Sequence, residues 1–89
     1  MISHQLTISN RLGLHARAAA KLAATAGRFR STIHIHRDGR KIDAKSVMSL
    51  MLLAAGQGTQ LEFEFDGDDA ADAAAAVLSL ITENFHEEQ

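Results

Sequence analysis

His15 stands between Gly13-Leu14 and the alanine-rich run Ala16-Arg17-Ala18-Ala19-Ala20-Lys21. Alanine is the best helix former, so the spacing predicts a helix from about Ala16, with His15 at or just before its first turn. The first backbone N–H groups of a helix, here beginning with that of Ala16, lack an internal partner. The helix macrodipole also places partial positive charge there. Such a terminus receives anions. Arg17 adds a planar cation with forked donors that match phosphate oxygens. A neutral imidazole nitrogen is a nucleophile, so His15 in this setting could take up a phosphoryl group whose charge is met on arrival. The dipole contributes roughly 0.3–1 kcal/mol, and a hydrogen bond to a charged group roughly 1.5–3 kcal/mol. The same spacing also fits a loop histidine that merely precedes a helix, and a lone His beside an Arg does not choose between the two.

Other chemistry-bearing residues point less sharply. His34 and His36 share one face of an alternating segment and could pair on a metal, but there is no Cys and no third ligand is placed; solvent-facing strand residues are the simpler reading, so no metal is expected. His4 reads as a strand residue in the same way. Glu62 and Glu64 could be paired catalytic carboxylates, yet they fall on the outward face of a strand, where cross-strand partners of opposite charge are expected. Ser46 precedes an apolar run and is a natural N-cap.

These residues need elements to hold them. The 89 residues allow one domain with a modest core, and a single domain over 1–89 is expected. Ile2 to Ile8 alternates, with Ile2, His4, Leu6 and Ile8 on one side, which predicts a strand. A helix over about Ala16–Ala26 follows, with Ala19, Leu22, Ala23 and Ala26 inward and Gly27 as its stop. Ser31 to His36 alternates with Ile33 and Ile35 inward. Asp38-Gly39 signals a hairpin into a short strand, Arg40–Asp43. Ser46 to Ala55 predicts a second helix ending at Gly56. Only Ser49 is polar between Val47 and Ala55, so Leu50, Leu53 and Ala54 can be buried while Val47, Met48, Met51, Leu52 and Ala55 form an exposed apolar patch, as at docking sites. Gln60 to Asp66 alternates with Leu61, Phe63 and Phe65 inward. A last helix opens after Gly67-Asp68-Asp69 with Ala70, Ala74, Val77, Leu78, Ile81 and Phe85 as its core face. Glu83, Glu87 and Glu88 leave an acidic, frayed tail. Strand, helix, strand, strand, helix, strand, helix predicts an α+β fold with helices on one face of a sheet.

Composition narrows the class. All nine Lys and Arg lie at or before Lys45, opposed there only by Asp38 and Asp43, whereas the remainder carries nine acids and no Lys or Arg. A basic face around His15 would steer an acidic partner, although the two halves could equally neutralise each other. With only four Phe as aromatics and a negative total charge, no nucleic-acid partner is expected. No apolar stretch reaches the roughly 18 residues of a membrane span, and the first residues lack the pattern of a signal peptide. A soluble, cytoplasmic protein is expected.

Two motifs within this element order closely resemble the HPr family, the histidine-containing phosphocarriers of the bacterial phosphotransferase system. Gly13-Leu14-His15-Ala16-Arg17 resembles the family's phosphorylation site. Lys45-Ser46-Val47-Met48-Ser49-Leu50-Met51 resembles its regulatory serine and second helix. The resemblance implies an open-faced β-sandwich, a four-stranded antiparallel sheet covered on one face by three helices. It implies that His15 is phosphorylated on a ring nitrogen (the pros nitrogen) by enzyme I, using phosphoenolpyruvate, and passes the group to enzyme IIA domains. Arg17 would stabilise the phosphate, Ser46 would be the target of an HPr kinase/phosphorylase, and Val47, Met48, Met51 and Leu52 with Ala20 would dock partners. It implies a monomeric carrier, without cofactor, that is not itself an enzyme. Many members have Pro directly after the Arg, where this chain has Ala18; Ala can occupy the first helical turn, so the helix should persist while the loop softens.

Three rivals stay open at the level of sequence: a carrier of the nitrogen branch that regulates instead of feeding sugar uptake, a small enzyme using His15 as general base, and an interaction module acting through the apolar second helix.

Overall fold

The alternating segments become four strands of one antiparallel sheet in a computed structural model that describes residues 1–87. The strands are β1 (Ile2–Thr7), β2 (Thr32–Arg37), β3 (Arg40–Asp43) and β4 (Gln60–Asp66), in spatial order β1-β4-β2-β3. The helices are α1 (Ala16–Gly27), α2 (Val47–Leu52) and α3 (Ala70–Thr82). They cover one face of the sheet, as the element order predicts.

Pairing follows the alternation. Leu6 lies opposite Leu61, and Ile33 and Ile35 lie opposite Phe65 and Phe63. These side chains are buried, and the Phe63 and Phe65 rings stack with centroids 6.1 Å apart. From the helices, Leu22, Leu50, Val77 and Ile81 close the core. On the opposite face one row runs Gln5–Glu62–His36–Lys41 and the next Ser3–Glu64–His34–Asp43. His36 Nε2 meets Glu64 Oε1 at 2.5 Å, and this hydrogen bond holds the Glu64 carboxyl below its ordinary range. Glu62 and Glu64 are thus sheet-face residues with basic neighbours. His4 keeps to the core side of β1 at its exposed edge, its ring edge-on to Phe65.

Local chemistry accounts for most boundaries. Asp38 and Gly39 both have positive φ, 51° and 79°, as the tight hairpin requires. Ser46 caps α2 by accepting from the Ser49 N–H at 3.3 Å. Asp69, directly before α3, makes no cap hydrogen bond there; its carboxylate instead accepts from the Arg30 and Ser31 N–H groups at 2.8 and 2.9 Å and from the Ser31 hydroxyl at 2.5 Å.

Four expectations need correction. Gly27 is the last residue of α1 and not a left-handed stop, because Arg28 continues in the right-handed region. Helix α2 ends at Leu52, three residues early, since Ala54 adopts a left-handed φ of 51° and turns Ala55 into the core. In α3 Leu80 is buried while Leu78 is 38% exposed, so Leu80 takes the expected place of Leu78 between the buried Val77 and Ile81. The acidic tail is not frayed as far as Glu87; Glu88 lies outside the described residues. After α3 the chain makes a single turn, Asn84–His86, whose three non-glycine residues all have positive φ, 56°, 56° and 59°. Phe85 is fully buried in it, and the turn brings Glu87 back toward the start of α1.

Candidate functional site

The loop before α1 is fastened at both ends. Ile8 exchanges hydrogen bonds with Thr59 and Gly58 at 2.9 and 2.7 Å, and the Leu14 N–H donates to the Ala55 carbonyl at 2.8 Å. Gly13 has φ +68°, and a Cβ on it would lie 2.6 Å from the Ala55 oxygen and 2.7 Å from Gly56 Cα. Only glycine fits both that conformation and that approach. Asn10 is buried; its Nδ2 donates to the Gly13 carbonyl at 2.7 Å and to Glu87 Oε1 at 2.9 Å, while its Oδ1 has no partner among the described residues.

His15 occupies the N-cap position of α1 in extended conformation, φ −77° and ψ 178°, and its side chain does not cap the helix. The Ala19 N–H reaches the His15 carbonyl at 2.8 Å. The N–H groups before it, of Ala16, Arg17 and Ala18, precede the first helical carbonyl they could bond, so the positive end of α1 is uncapped by side chains beside the imidazole. Ala18, in place of proline, is buried and the helix begins normally.

The ring is partly accessible, with the side chain 29% exposed. It borders a cleft of about 730 Å³ lined by Leu12, Ala16, Arg17, Lys21, His86 and Glu87. Arg17 is exposed at the cleft, and Lys21, one turn further along α1, donates to the Phe85 carbonyl at 2.6 Å. Glu87 Oε2 faces His15 Nε2 in direct hydrogen-bond contact. Burial pushes the Glu87 carboxyl up, but hydrogen bonds with Asn10 and His15 and the charges of His15 and Lys21 outweigh it, so the group lies below its ordinary range and is ionised at neutral pH. An ionised carboxylate only accepts, so Nε2 carries the proton and, in the neutral ring, Nδ1 keeps the lone pair. A nucleophilic nitrogen, two cations and an open helix terminus at one cleft are equipped to take and release a small dianion.

His15, Ala16 and Arg17 are therefore brought together as the sequence predicts. Val47, Met48, Met51 and Leu52 lie on α2, which packs against α1, and they are exposed, Met48 and Leu52 at 77% and 70%. Ala20 is exposed on α1. Ala55, counted with that patch in the sequence, is buried instead. Ser46 sits at the start of the patch. His34 and His36 stay on the open sheet face, and no group of three His, Cys, Asp or Glu residues suited to a metal occurs among the described residues. Among the described residues no helix is long and apolar enough to cross a membrane. Two residues of the site escaped the sequence: Asn10 and Glu87. Neither lies in a helical or strand pattern, and only the left-handed turn at 84–86 joins them.

Comparison with known proteins is consistent across sequence and structure. The family model described as "PTS HPr component phosphorylation site" matches residues 2–83. The phosphocarrier protein HPr of Cupriavidus necator is 49% identical over 87 residues, covering 98% of each chain. The structure of HPr-C-His from Thermoanaerobacter tengcongensis superposes with a TM-score of 0.95 at 39% identity, covering 100% of both chains. A structure described as an HPr dimer from the same organism gives 0.78, covering 98% of this chain and all of that one.

Proposed function

The chain belongs to the HPr family of phosphocarriers of the phosphotransferase system, and from that premise we propose that His15 is its phosphoryl acceptor, charged by enzyme I and discharged to enzyme IIA domains. The observation that carries this reading is the accessible imidazole at the uncapped start of α1, with Arg17 at the same cleft. The Nδ1 lone pair attacks the phosphorus of a phosphohistidine donor. The new Nδ1–P bond forms as the donor's N–P bond breaks, and that electron pair returns to the donor ring. The N–H groups at the head of α1, Ala16 first, and the Arg17 guanidinium meet the phosphoryl oxygens, whose charge they favour by hydrogen bonding and by the dipole. The reaction reverses with an acceptor imidazole, so the protein carries the group without turnover of its own.

Partners would dock on Val47, Met48, Met51, Leu52 and Ala20, beside the cleft. Ser46 borders that surface. A phosphate there adds roughly −1.5 to −2 charge next to Met48 and Met51, which would oppose docking without refolding the chain. An HPr kinase/phosphorylase fits this role. The carrier is proposed to act as a single-domain monomer in the cytoplasm.

The test is incubation with phosphoenolpyruvate and enzyme I, followed by intact mass and acid treatment. One acid-labile phosphate on the wild-type protein, absent from a folded His15→Ala variant, supports the reading. An acid-stable product, or normal phosphorylation of His15→Ala, overturns it.

A further inference from the structure

We propose that Glu87 is a positioning residue for His15: its carboxylate, held by Asn10, fixes the Nε2–H form of the ring and pairs with the cationic ring formed on phosphorylation. The inference rests on the assignment of His15 as phosphoryl acceptor and extends it by a residue 72 positions away in the chain.

Three observations converge. The contact is direct, from Glu87 Oε2 to His15 Nε2, and the Glu87 side chain is only 12% exposed. The other carboxylate oxygen accepts from Asn10 Nδ2 at 2.9 Å, and the same amide donates to the Gly13 carbonyl at 2.7 Å. Asn10 thus ties the carboxylate to the loop that carries the imidazole. The turn that delivers Glu87 holds three consecutive non-glycine residues at positive φ, a conformation that persists only where its surroundings enforce it. Those surroundings are visible: Phe85 is buried, Lys21 donates to its carbonyl at 2.6 Å, and Ser9 Oγ donates to Asn84 Oδ1 at 2.7 Å.

The chemical consequence follows from proton bookkeeping. With Nε2–H donated to a carboxylate, the ring cannot present its proton toward the cleft, and electron density at Nδ1 is raised. When Nδ1 attacks, the donor's N–P bond breaks with its electron pair staying on the donor, and the Nε2 proton stays in place. The phosphorylated ring is then a cation whose N–H faces the Glu87 carboxylate. That pairing exists after attack and only partly before it, so it favours transfer more than it favours the resting state.

The opposing effect is repulsion between Glu87 and the incoming phosphoryl oxygens, which predicts the reverse result and makes the test two-sided. The experiment compares wild-type protein with Glu87→Gln and Glu87→Ala. The first readout is the imidazole Hε2 signal of His15 by nitrogen-15-edited proton NMR without any partner. The second is kcat/KM for phosphorylation by enzyme I, with melting temperature as the control. A slowly exchanging Hε2 signal in wild type that is lost in Glu87→Ala, with kcat/KM down about tenfold and Glu87→Gln between the two, is expected for a charge-assisted hydrogen bond near the surface. An Hε2 signal unchanged by Glu87→Ala, or transfer as fast as or faster than wild type in both variants, overturns the proposal. Failure of wild-type protein to be phosphorylated at all would refute the carrier reading instead, and the Hε2 comparison would still report on the contact.

Discussion

Replacing Gly13 by alanine should destabilise the protein far more than replacing Gly39, although both have positive φ, +68° and +79°. A left-handed L-residue costs about 1–2 kcal/mol at either position. The gain from a stiffer unfolded chain, about 0.4–1 kcal/mol, is also common to both and cancels in the comparison. What differs is space. A Cβ on Gly39 meets nothing within 4 Å, whereas one on Gly13 lies 2.6 Å from the Ala55 oxygen and 2.7 Å from Gly56 Cα. Both neighbours are backbone, so relief requires the chain to move, which adds about 1–3 kcal/mol as for other overpacked sites. Urea unfolding followed by far-UV circular dichroism should therefore separate the variants by about 1–3 kcal/mol, with Gly13→Ala the weaker. The threatened oxygen is the acceptor of the Leu14 N–H, so the loop in front of His15 must shift. Phosphorylation by enzyme I should slow in Gly13→Ala and stay unchanged in Gly39→Ala. Equal stabilities within about 0.5 kcal/mol would refute the claim that close approach to Ala55–Gly56 pins this loop.

Hydrogen bonds from the Ser31 hydroxyl first, and then from the Arg30 and Ser31 N–H groups, lower the Asp69 carboxyl from 3.8 to about 2. A depressed folded-state value contributes stability above the unfolded value and loses it as pH falls toward the folded one, so Asp69→Asn should flatten the acid limb of stability between pH 3.8 and about 2. Identical acid-unfolding curves would count against this. Ser46→Ala removes the hydroxyl that accepts from Ser49 and should cost about 0.5–1 kcal/mol, measured by thermal melting; no change would mean that α2 does not depend on its cap. Met48→Asp places a charge on the exposed face of α2 and should raise KM for phosphorylation by enzyme I at least tenfold without lowering the melting temperature, while an unchanged KM would move docking elsewhere.

Most of the fold was legible because its signals are local. Strand alternation, the Asp38-Gly39 turn, the Ser46 cap and the alanine run after His15 each depend on residues within a few positions of one another. What escaped had causes distant in the chain. Ala54 turns left-handed because Leu53 and Ala55 must both reach the core and because Ala55 must present its carbonyl to Leu14, a demand invisible from α2 alone. Leu78 and Leu80 differ by 160° around α3 at its 100° per residue, and which one faces inward depends on how the helix sits on β1 and β4. At the site, type and spacing placed His15 and Arg17 at the start of α1 but left open whether they act there, whereas Glu87 looked like one more acid in a polar tail. Its contact with His15 depends on Phe85 being buried and on three residues accepting a backbone conformation that no sequence pattern marks.

The middle of the sheet is filled by its last strand. β4 lies between β1 and β2, bonded to residues more than fifty positions earlier on one side and about thirty on the other. During synthesis, β1 and the β2–β3 hairpin therefore have no common edge until residue 66 has left the ribosome, and the loop bearing His15 lacks its backing from Ala55 and Thr59 for nearly as long. The cleft at the start of α1 cannot form ahead of the sheet, so a nascent chain offers no such site until β4 is in place.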